Sequence, residues 1–287
     1  MRKVGIYYAY WTHDWDVDFL PFVQKVKNLG FEILEINGGT IVSMNQNERM
    51  RLMNEAEETG IDLTFGIGLP ERYDVSSLDE NIRKNGVAFM KKMIKAVHEM
   101  KGKMIGGTVH SYWPAVLPYG VENKEPIRKQ SIKSMKELAS LAEDMGVILN
   151  VEATNRFEQF LINTSSEALS YIQEVGSPAC RILLDTFHMN IEEDSLGDAI
   201  RNAGEYLSAL HLGESNRKPP GLGRMPWSEI KQALDDIAFD GPLVMEPFVL
   251  PGGQVGRDIG VYREIIENPN LDALASVSAE FVKQNLR

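Results

Sequence analysis

The sequence predicts an α/β fold, a (β/α)8 or TIM barrel, from three observations. Short apolar runs alternate with longer amphipathic segments along the whole 287-residue chain. Eight such runs occur, and eight strand–helix units are the number that closes a parallel sheet into a barrel. No Pro- or Ser-rich linker and no low-complexity segment interrupts the alternation, so residues 1–287 are expected to form a single domain. An open, doubly wound sheet is the alternative.

The predicted strands are short apolar runs, each followed by a segment with helical periodicity. In chain order they are Val4–Tyr10, Phe31–Ile36, Asp62–Ile67, Lys103–Thr108, Val147–Glu152, Arg181–Asp185, Tyr206–His211 and Leu243–Glu246. Because strands that alternate with helices pair in parallel, all eight are expected to run in the same direction.

The segments between the strands carry apolar residues at helical spacing. The clearest are Phe19–Leu29, Asn47–Thr59, Ile82–Met100 and Pro126–Met145. In the last of these a single apolar stripe is formed by Ile132, Met135, Leu138, Ala142 and Met145. One helix is therefore expected after each strand, eight in all, and the tail Leu271–Asn285 is predicted to be an extra helix outside the barrel.

Local signals mark where several helices begin and end. The stretch from Thr164 to Glu167 reads as a capping box that opens the fifth helix, and Pro226 suits the first turn of the seventh. Three glycines each follow a helical segment and precede a strand, the position where a left-handed residue ends a helix. They are Gly30, Gly60 and Gly146.

Composition excludes several classes of protein. The formal net charge of −11 argues against nucleic acid as a partner. The single cysteine, Cys180, lies in an apolar run and has no partner for an intramolecular disulfide. No apolar stretch is long enough to span a bilayer, and the amino terminus lacks a secretory signal. A cytoplasmic protein with no membrane partner is expected.

Four consecutive predicted strands end in residues that bind metals. They are Glu152, Asp185, His211 and Glu246, each about one strand–helix unit after the last. Since parallel strands bring their carboxyl ends to the same mouth of a barrel, these side chains are expected to meet there. Three carboxylates and an imidazole predict one divalent cation per subunit, with Mn²⁺ or Co²⁺ preferred and Mg²⁺ as a further candidate.

Two of these ligands also suit proton transfer. Removing a proton from a carbon beside a carbonyl produces an enediolate, whose charge a cation stabilises. Glu152 and Glu246 come from opposite sides of the predicted half-circle of ligands. One can therefore remove the proton and the other return it from the opposite face, which inverts the carbon. Moving the proton to the adjacent carbon instead would make the protein an isomerase.

Several motifs resemble those of the ketose 3-epimerases, the D-tagatose 3-epimerase and D-psicose (D-allulose) 3-epimerase enzymes of the xylose-isomerase-like barrel superfamily. The motifs occur in the family's order and span nearly the whole chain. They are Gly5-Ile-Tyr-Tyr-Ala-Tyr-Trp11, Ser111-Tyr-Trp-Pro114, Val151-Glu-Ala-Thr-Asn-Arg-Phe-Glu158, Leu184-Asp-Thr-Phe-His-Met-Asn-Ile-Glu-Glu-Asp194, His211-Leu-Gly-Glu-Ser-Asn-Arg217 and Met245-Glu-Pro-Phe248.

The resemblance implies a carbohydrate epimerase of the isomerase class that acts at C3 of free ketohexoses. The implied pairs are D-psicose/D-fructose and D-tagatose/D-sorbose, and L-ribulose/L-xylulose is a further candidate. The resemblance also implies that Glu152 and Glu246 are the acid–base pair as well as metal ligands. It implies that Glu158, His188 and Arg217 hold the first and second substrate oxygens. A homodimer or homotetramer is expected on the same grounds.

Residues at or just beyond strand ends complete the predicted substrate pocket. Tyr7 and Phe248 match pocket positions of the family, and Trp15 and Trp113 are further aromatic candidates. Rings at these places would exclude water and pack against the carbon face of a sugar. Gly66 is a predicted pocket position on the third strand.

Other functions are weighed against the epimerase. An aldose–ketose isomerase similar to hydroxypyruvate isomerase or xylose isomerase is the closest alternative. A metal-dependent nuclease of the AP-endonuclease type would need more His ligands than five histidines provide and would be opposed by the acidic charge. The stretch Pro251–Gly256 hints at a phosphate loop and hence a sugar-phosphate enzyme. A non-catalytic sugar-binding protein would have no need for paired carboxylates at a metal.

Overall fold

Eight parallel strands close into a barrel in the computed structural model, which describes residues 1–287. The strands are β1 (Val4–Tyr7), β2 (Ile33–Asn37), β3 (Asp62–Leu69), β4 (Met104–Tyr112), β5 (Ile148–Glu152), β6 (Cys180–Asp185), β7 (Leu207–Leu212) and β8 (Leu243–Met245). Closure comes from β1 and β8, in which Val4 is the partner of Leu243. The predicted (β/α)8 class is confirmed, and the open sheet is excluded.

Helices surround the barrel and also cover its carboxyl-terminal mouth. They are α1 (Leu20–Asn28), α2 (Gly38–Ser43), α3 (Gln46–Thr59), α4 (Glu80–Glu99), α5 (Glu125–Met145), α6 (Ser165–Val175), α7 (Thr186–Glu192), α8 (Leu196–Ala203), α9 (Trp227–Asp236), α10 (Gly253–Ile259) and α11 (Leu271–Leu286). Short 3₁₀ turns occupy Tyr8–Trp11, Glu71–Tyr73 and Gly204–Tyr206.

The expected one-to-one alternation of strands and helices is wrong at two places. The short helices α2 and α7 follow β2 and β6 directly, as additions to the expected helices α3 and α8. They have six and seven residues, which is too short to display a helical period in the sequence. Helix α7 begins where the Asp185 side chain accepts a hydrogen bond from Phe187 N at 2.8 Å, so this strand-end residue also caps a helix.

The carboxyl ends of β1 and β4 differ most from the predicted ends. β1 stops at Tyr7 because the chain turns into a 3₁₀ helix there, whereas β4 continues past Thr108 to Tyr112. The longer β4 depends on Gly107, which has a φ of 107°. A Cβ at Gly107 would lie 2.2 Å from the Ile67 carbonyl oxygen of β3, so only glycine permits this approach of the two strands.

The predicted helix ends are largely confirmed. Thr164 and Glu167 form the expected capping box at the start of α6. The predicted glycines adopt left-handed conformations after helices, with φ of 88° at Gly30, 70° at Gly60 and 62° at Gly146. Pro226 is the residue that precedes α9 and not part of its first turn, so that prediction is wrong by one position.

The predicted extra helix at the end of the chain is present as α11 and lies against the amino-terminal end of the barrel. Arg2, just before β1, donates hydrogen bonds to Phe239 O at 2.8 Å and to Leu286 O at 2.5 Å. This buried guanidinium therefore ties the last residues of α11 to the floor of the barrel. No helix combines the length and the apolar character needed to cross a lipid bilayer.

Two reactive side chains away from the barrel mouth are buried. Burial raises the pKa of the Cys180 thiol to about 12, so it is a small apolar core residue at neutral pH. The His110 imidazole on β4 is fully buried beside the ring of Tyr171, and neither of its nitrogens has a hydrogen-bond partner. Burial lowers the pKa of His110 to about 3.

His110 is expected to make the folded state less stable in acid. The unfolded chain binds a proton on this imidazole below about pH 6.5, whereas the folded state resists it, so stability falls as pH drops from 6.5 toward 3. Between pH 6.5 and 5 the loss from this residue is about 2 kcal/mol. Urea unfolding of the wild type and His110→Phe at several pH values measures it. A difference in unfolding free energy that does not change with pH would contradict the prediction.

Candidate metal and active site

The four predicted ligands meet at the carboxyl-terminal mouth of the barrel. Glu152 ends β5, Asp185 ends β6, His211 lies near the end of β7, and Glu246 follows β8 directly. Neighbouring strands hold Asp185 and His211 in register, and Glu246 N donates to Leu212 O at 2.9 Å. One ligand atom from each residue lies within 4.8 Å of those of the other three. Residues from four separate strands thus converge on one point.

The imidazole of His211 is oriented with one nitrogen toward this cluster. Its Nδ1 lies 3.8 Å from Glu152 Oε1 and 3.7 Å from Glu246 Oε1. This Nδ1 is buried and has no hydrogen-bond partner. A buried polar atom without a partner is costly, and here it faces carboxylates, so a cation between them would satisfy all four groups. The donor set of three carboxylates and one imidazole fits a divalent metal ion.

The electrostatics of the cluster also favour a cation. Burial raises the pKa of Glu152 well above its ordinary value, and the nearby carboxylates of Glu246 and Asp185 raise it further, against the opposing effects of His211 and Arg217. Burial alone would lower the pKa of His211, but Glu35 and Glu246 outweigh it and the pKa is raised. Crowded buried carboxylates therefore compete for positive charge, which a divalent ion would supply.

Arg217 provides the fixed positive charge next to the cluster. Its Nη1 donates to Asp185 Oδ2 at 3.3 Å and to Glu246 Oε2 at 3.2 Å, and its Nη2 donates to Glu158 Oε1 at 3.4 Å. The guanidinium carbon lies 3.9 Å from the centre of the Phe187 ring. Burial would lower the pKa of Arg217, but Glu158 and the other carboxylates outweigh it, so the guanidinium stays charged.

A buried carboxylate holds the loop that carries Arg217. Glu214 accepts hydrogen bonds from Gly221 N at 2.7 Å, Met225 N at 3.0 Å and Trp227 Nε1 at 3.1 Å. Arg217 itself has a φ of 62°, a left-handed conformation that is uncommon for a side chain of this size. The three hydrogen bonds that Glu214 accepts hold the loop in place and so maintain the left-handed conformation of Arg217.

Asn155 connects His188 to Glu158 and determines how the imidazole is protonated. The Asn155 Oδ1 accepts from Phe157 N at 2.9 Å, so its Nδ2 faces Glu158 Oε1 at 2.9 Å and His188 Nδ1 at 2.7 Å. Nδ1 is therefore the acceptor, and the proton of the neutral ring lies on Nε2, which is 3.8 Å from both Glu152 and Asp185. Burial lowers the pKa of His188 to about 4, so the ring is neutral at neutral pH.

A cavity of about 580 Å³ opens directly above the four ligands. All the residues that the sequence placed in the substrate pocket line it, and these are Tyr7, Trp15, Gly66, Trp113, Glu158, His188, Arg217 and Phe248. The aromatic rings form one wall, with centres 6.2 Å apart for Tyr7 and Phe248 and 6.3 Å apart for Trp15 and Trp113.

Hydrogen bonds fix both tryptophans of this wall. Trp113 Nε1 donates to Glu158 Oε2 at 3.0 Å, and Trp15 Nε1 donates to Asp258 Oδ2 of α10 at 2.8 Å. These bonds join the segment after β4 to the loop after β5, and the segment after β1 to α10.

The glycine-rich stretch Pro251–Gly256 has a packing role. It leads into α10, and Val255 N donates to His13 O at 2.9 Å. A Cβ at Gly253 would lie 2.5 Å from the same His13 oxygen, so the glycine is required by the close approach of two loops. This contact accounts for the glycine without a bound phosphate.

Three polar residues of the site had not been identified from the sequence. Glu214 and Asn155 lie inside motifs that had been singled out, but their side-chain contacts could not be read from spacing. Glu35 lies on β2, is 4% exposed, and places Oε1 2.9 Å from His211 Nε2. A carboxylate inside an otherwise apolar buried strand was the available signal for Glu35.

Comparison with known proteins places this geometry in a family. A model of the family described as "Xylose isomerase-like TIM barrel" matches residues 23–265. The D-psicose 3-epimerase of Ruminiclostridium cellulolyticum is 43% identical over 282 residues, which cover 97% of this chain and 96% of that protein. The D-psicose 3-epimerase of Agrobacterium fabrum is 42% identical and is matched over 91% of its length.

Solved structures agree with these sequence relationships. The D-psicose 3-epimerase of Clostridium cellulolyticum H10, determined with D-tagatose, superposes with a TM-score of 0.96 at 43% identity and covers 99% of both chains. A more distant relative, the L-ribulose 3-epimerase of Mesorhizobium japonicum, is 30% identical over 86% of this chain and 82% of that protein.

Proposed function

The chain belongs to the ketose 3-epimerases of the xylose isomerase-like TIM barrel family, and from this premise we propose that it is a metal-dependent epimerase acting at C3 of free ketohexoses. The observation that carries the proposal is the pair Glu152 and Glu246. Both carboxylates lie in one cluster of metal-binding residues at the floor of a cavity of sugar size. Paired carboxylates at one carbon are what a two-sided proton transfer needs.

Glu152, Asp185, His211 and Glu246 would hold one divalent cation, Mn²⁺ or Co²⁺ by preference and Mg²⁺ as a further candidate. When bound, such an ion supplies electrostatic stabilisation of negative charge on two adjacent substrate oxygens. Asp185 is fully buried and also caps α7, so we assign it an anchoring role only.

The proton transfer is assigned to the two glutamates. One carboxylate removes the proton from C3, and the electron pair of the broken C–H bond moves toward the C2 carbonyl to give a planar enediolate. The other carboxylate, arriving from a different strand, delivers a proton to the opposite face of C3, and the carbonyl re-forms. No oxidant or reductant is consumed, and the product differs from the substrate only in configuration at C3.

The remaining polar groups of the cavity would hold the substrate beside these carboxylates. His188 presents its Nε2–H, and Arg217 its guanidinium, toward the place where charge develops on O2. Burial alone would raise the pKa of Glu158, but Arg217, His188 and the hydrogen bonds from Asn155 and Trp113 together lower it. Glu158 is therefore a deprotonated acceptor for a substrate hydroxyl. These three roles follow from the family relationship and from the contacts described above.

The walls of the cavity bear on the choice of sugar. Tyr7, Trp15, Trp113 and Phe248 would exclude water and pack against the carbon chain of a ketose. Gly66 on β3 and Thr108 on β4 also line the cavity. The buried Thr108 Oγ1 has no hydrogen-bond partner within the protein. We propose D-psicose/D-fructose as the principal pair, with D-tagatose and L-ribulose as further substrates. Relatives are named D-psicose 3-epimerase and L-ribulose 3-epimerase, and structures of D-psicose 3-epimerases were determined with D-tagatose and with D-fructose.

The proposed epimerisation is tested by incubating D-fructose with the metal-loaded protein in D₂O. Formation of D-psicose with deuterium at C3 is the expected result, because the returning proton comes from a carboxylate that has exchanged with solvent. NMR and mass spectrometry locate the label. Label confined to C1 with formation of an aldose would overturn the proposal in favour of an aldose–ketose isomerase.

We further propose that the protein is a homodimer or homotetramer. Apolar side chains are exposed on two neighbouring loops, and they are Val116, Leu117, Tyr119 and Phe157. Ala115 N donates to Glu158 O at 2.9 Å, so the two loops are joined and present one surface. Exposed apolar clusters of this kind favour self-association. Sedimentation velocity measures the mass, and a monomer at micromolar concentration would refute the proposal.

A further inference from the structure

We propose that Glu35 is a positioning residue for the metal site. Its carboxylate contacts Nε2 of the His211 imidazole, so that Nδ1 on the other side of the ring faces the other three ligands. This inference rests on the proposed cation site and extends it to a residue outside the ligand set. It concerns the placement and affinity of the ion rather than the proton transfer.

Glu35 lies inside the barrel and has two polar neighbours, one for each carboxylate oxygen. Oε1 lies 2.9 Å from His211 Nε2, and Oε2 accepts a hydrogen bond from Thr64 Oγ1 at 2.8 Å. The register of the sheet makes Thr64 of β3 the direct partner of Glu35 on β2. An isolated buried carboxylate is strongly unfavourable, so its two partners explain why it is tolerated at this depth.

The contact determines which nitrogen of His211 is available to a ligand. A metal-binding imidazole is neutral, and in the neutral ring the Glu35 carboxylate, 2.9 Å from Nε2, favours the proton on that nitrogen. The unpartnered Nδ1 is then free of a proton and directed at Glu152 and Glu246. In metal sites a carboxylate on the far nitrogen fixes the ring orientation and increases the basicity of the ligand nitrogen. Thr64 fixes the other oxygen, so the carboxylate itself cannot rotate away.

The position of Glu35 argues against a direct role with substrate. It does not line the cavity, and it is not among the four residues whose ligand atoms converge. The imidazole stands between Glu35 and those ligands. Any effect of Glu35 on the placement of the ligand atoms would therefore pass through His211.

The test is a calorimetric titration of the metal-free, full-length protein with MnCl₂ and with CoCl₂. We expect Kd to increase by roughly 10- to 100-fold in Glu35→Leu, which removes the acceptor, and by less in Glu35→Gln, which retains one. Thr64→Val, which leaves the His211 contact in place, should change Kd by only a few-fold. Asp74→Asn removes a buried negative charge that is bonded to Ser76 and serves as the control for charge alone.

A double-mutant cycle separates positioning from a general effect on folding. In a His211→Ala background there is no imidazole to orient, so adding Glu35→Gln should leave Kd unchanged. Circular dichroism of each metal-free variant verifies the fold. Equal Kd values for the wild type, Glu35→Gln and Glu35→Leu, or an equal effect of Glu35→Gln with and without His211, would overturn the inference. A wild type that binds neither ion would overturn the metal site itself and this inference with it.

Discussion

Glu152→Gln and Glu246→Gln are each expected to reduce kcat for interconversion of D-psicose and D-fructose by roughly 10²- to 10⁴-fold. Glutamine keeps the size of the side chain but cannot carry a proton between solvent and C3. The two residues lie in one buried cluster, so either substitution leaves a single proton-transfer group at the reacting carbon. Initial rates with metal content matched between variants measure the effect, and the exposed Glu58→Gln on α3 is the matched control.

Isotope exchange distinguishes two proton-transfer groups from one. A variant that retains only one carboxylate can still remove and return a proton on one face. In D₂O each variant should therefore slowly exchange the C3 hydrogen of a single epimer without converting it to the other, and the two variants should act on opposite epimers. Near-normal epimerisation by either variant would contradict the two-glutamate scheme.

Removal of divalent cations with a chelator is expected to abolish activity and to lower the Tm. Without a cation, buried carboxylates of the cluster repel one another, and Arg217 is the only guanidinium in contact with them. A ligand present at 100 times its Kd stabilises the folded state by about 2.7 kcal/mol, which is the scale of the expected loss.

Reconstitution makes this second prediction specific to the site. Addition of Mn²⁺ or Co²⁺ should restore both the Tm and the activity of the wild type. Asp185→Asn removes a ligand, so in this variant the same addition should raise the Tm far less at equal ion concentration. Full activity after exhaustive dialysis against chelator, with no bound metal by elemental analysis, would be incompatible with the proposed mechanism.

The sequence was sufficient for the barrel because the strand pattern repeats eight times and closes in one way. Strand ends differed where local geometry intervened, as at Gly107 in β4 and at Tyr7 in β1. The sequence does not predict the two short helices α2 and α7 because one turn or two leave no periodic signal. They cover the mouth of the barrel, where the loops carry the functional residues and vary more than the strands and helices that they connect.

The residues of the candidate site also fall into two groups, those that the sequence predicts and those that only the structure identifies. Glu152, Asp185, His211 and Glu246 could be grouped from the sequence because each ends a strand, and parallel strands bring their carboxyl ends to one face. The cavity-lining residues required the family motifs as well. Glu35, Asn155 and Glu214 required the structure, because each acts through a contact with a residue on another element or across a loop.

The sequence by itself predicted the fold class, the cluster of four candidate metal ligands and the presence of two glutamates within it, since these depend on periodicity and on strand order. Only the tertiary structure decided the orientation of His211 against Glu35, the protonation of His188 against Asn155, and the left-handed placement of Arg217. These features depend on distances of about 3 Å between side chains on different strands and loops. Such distances are set by packing, and no spacing along the chain encodes them.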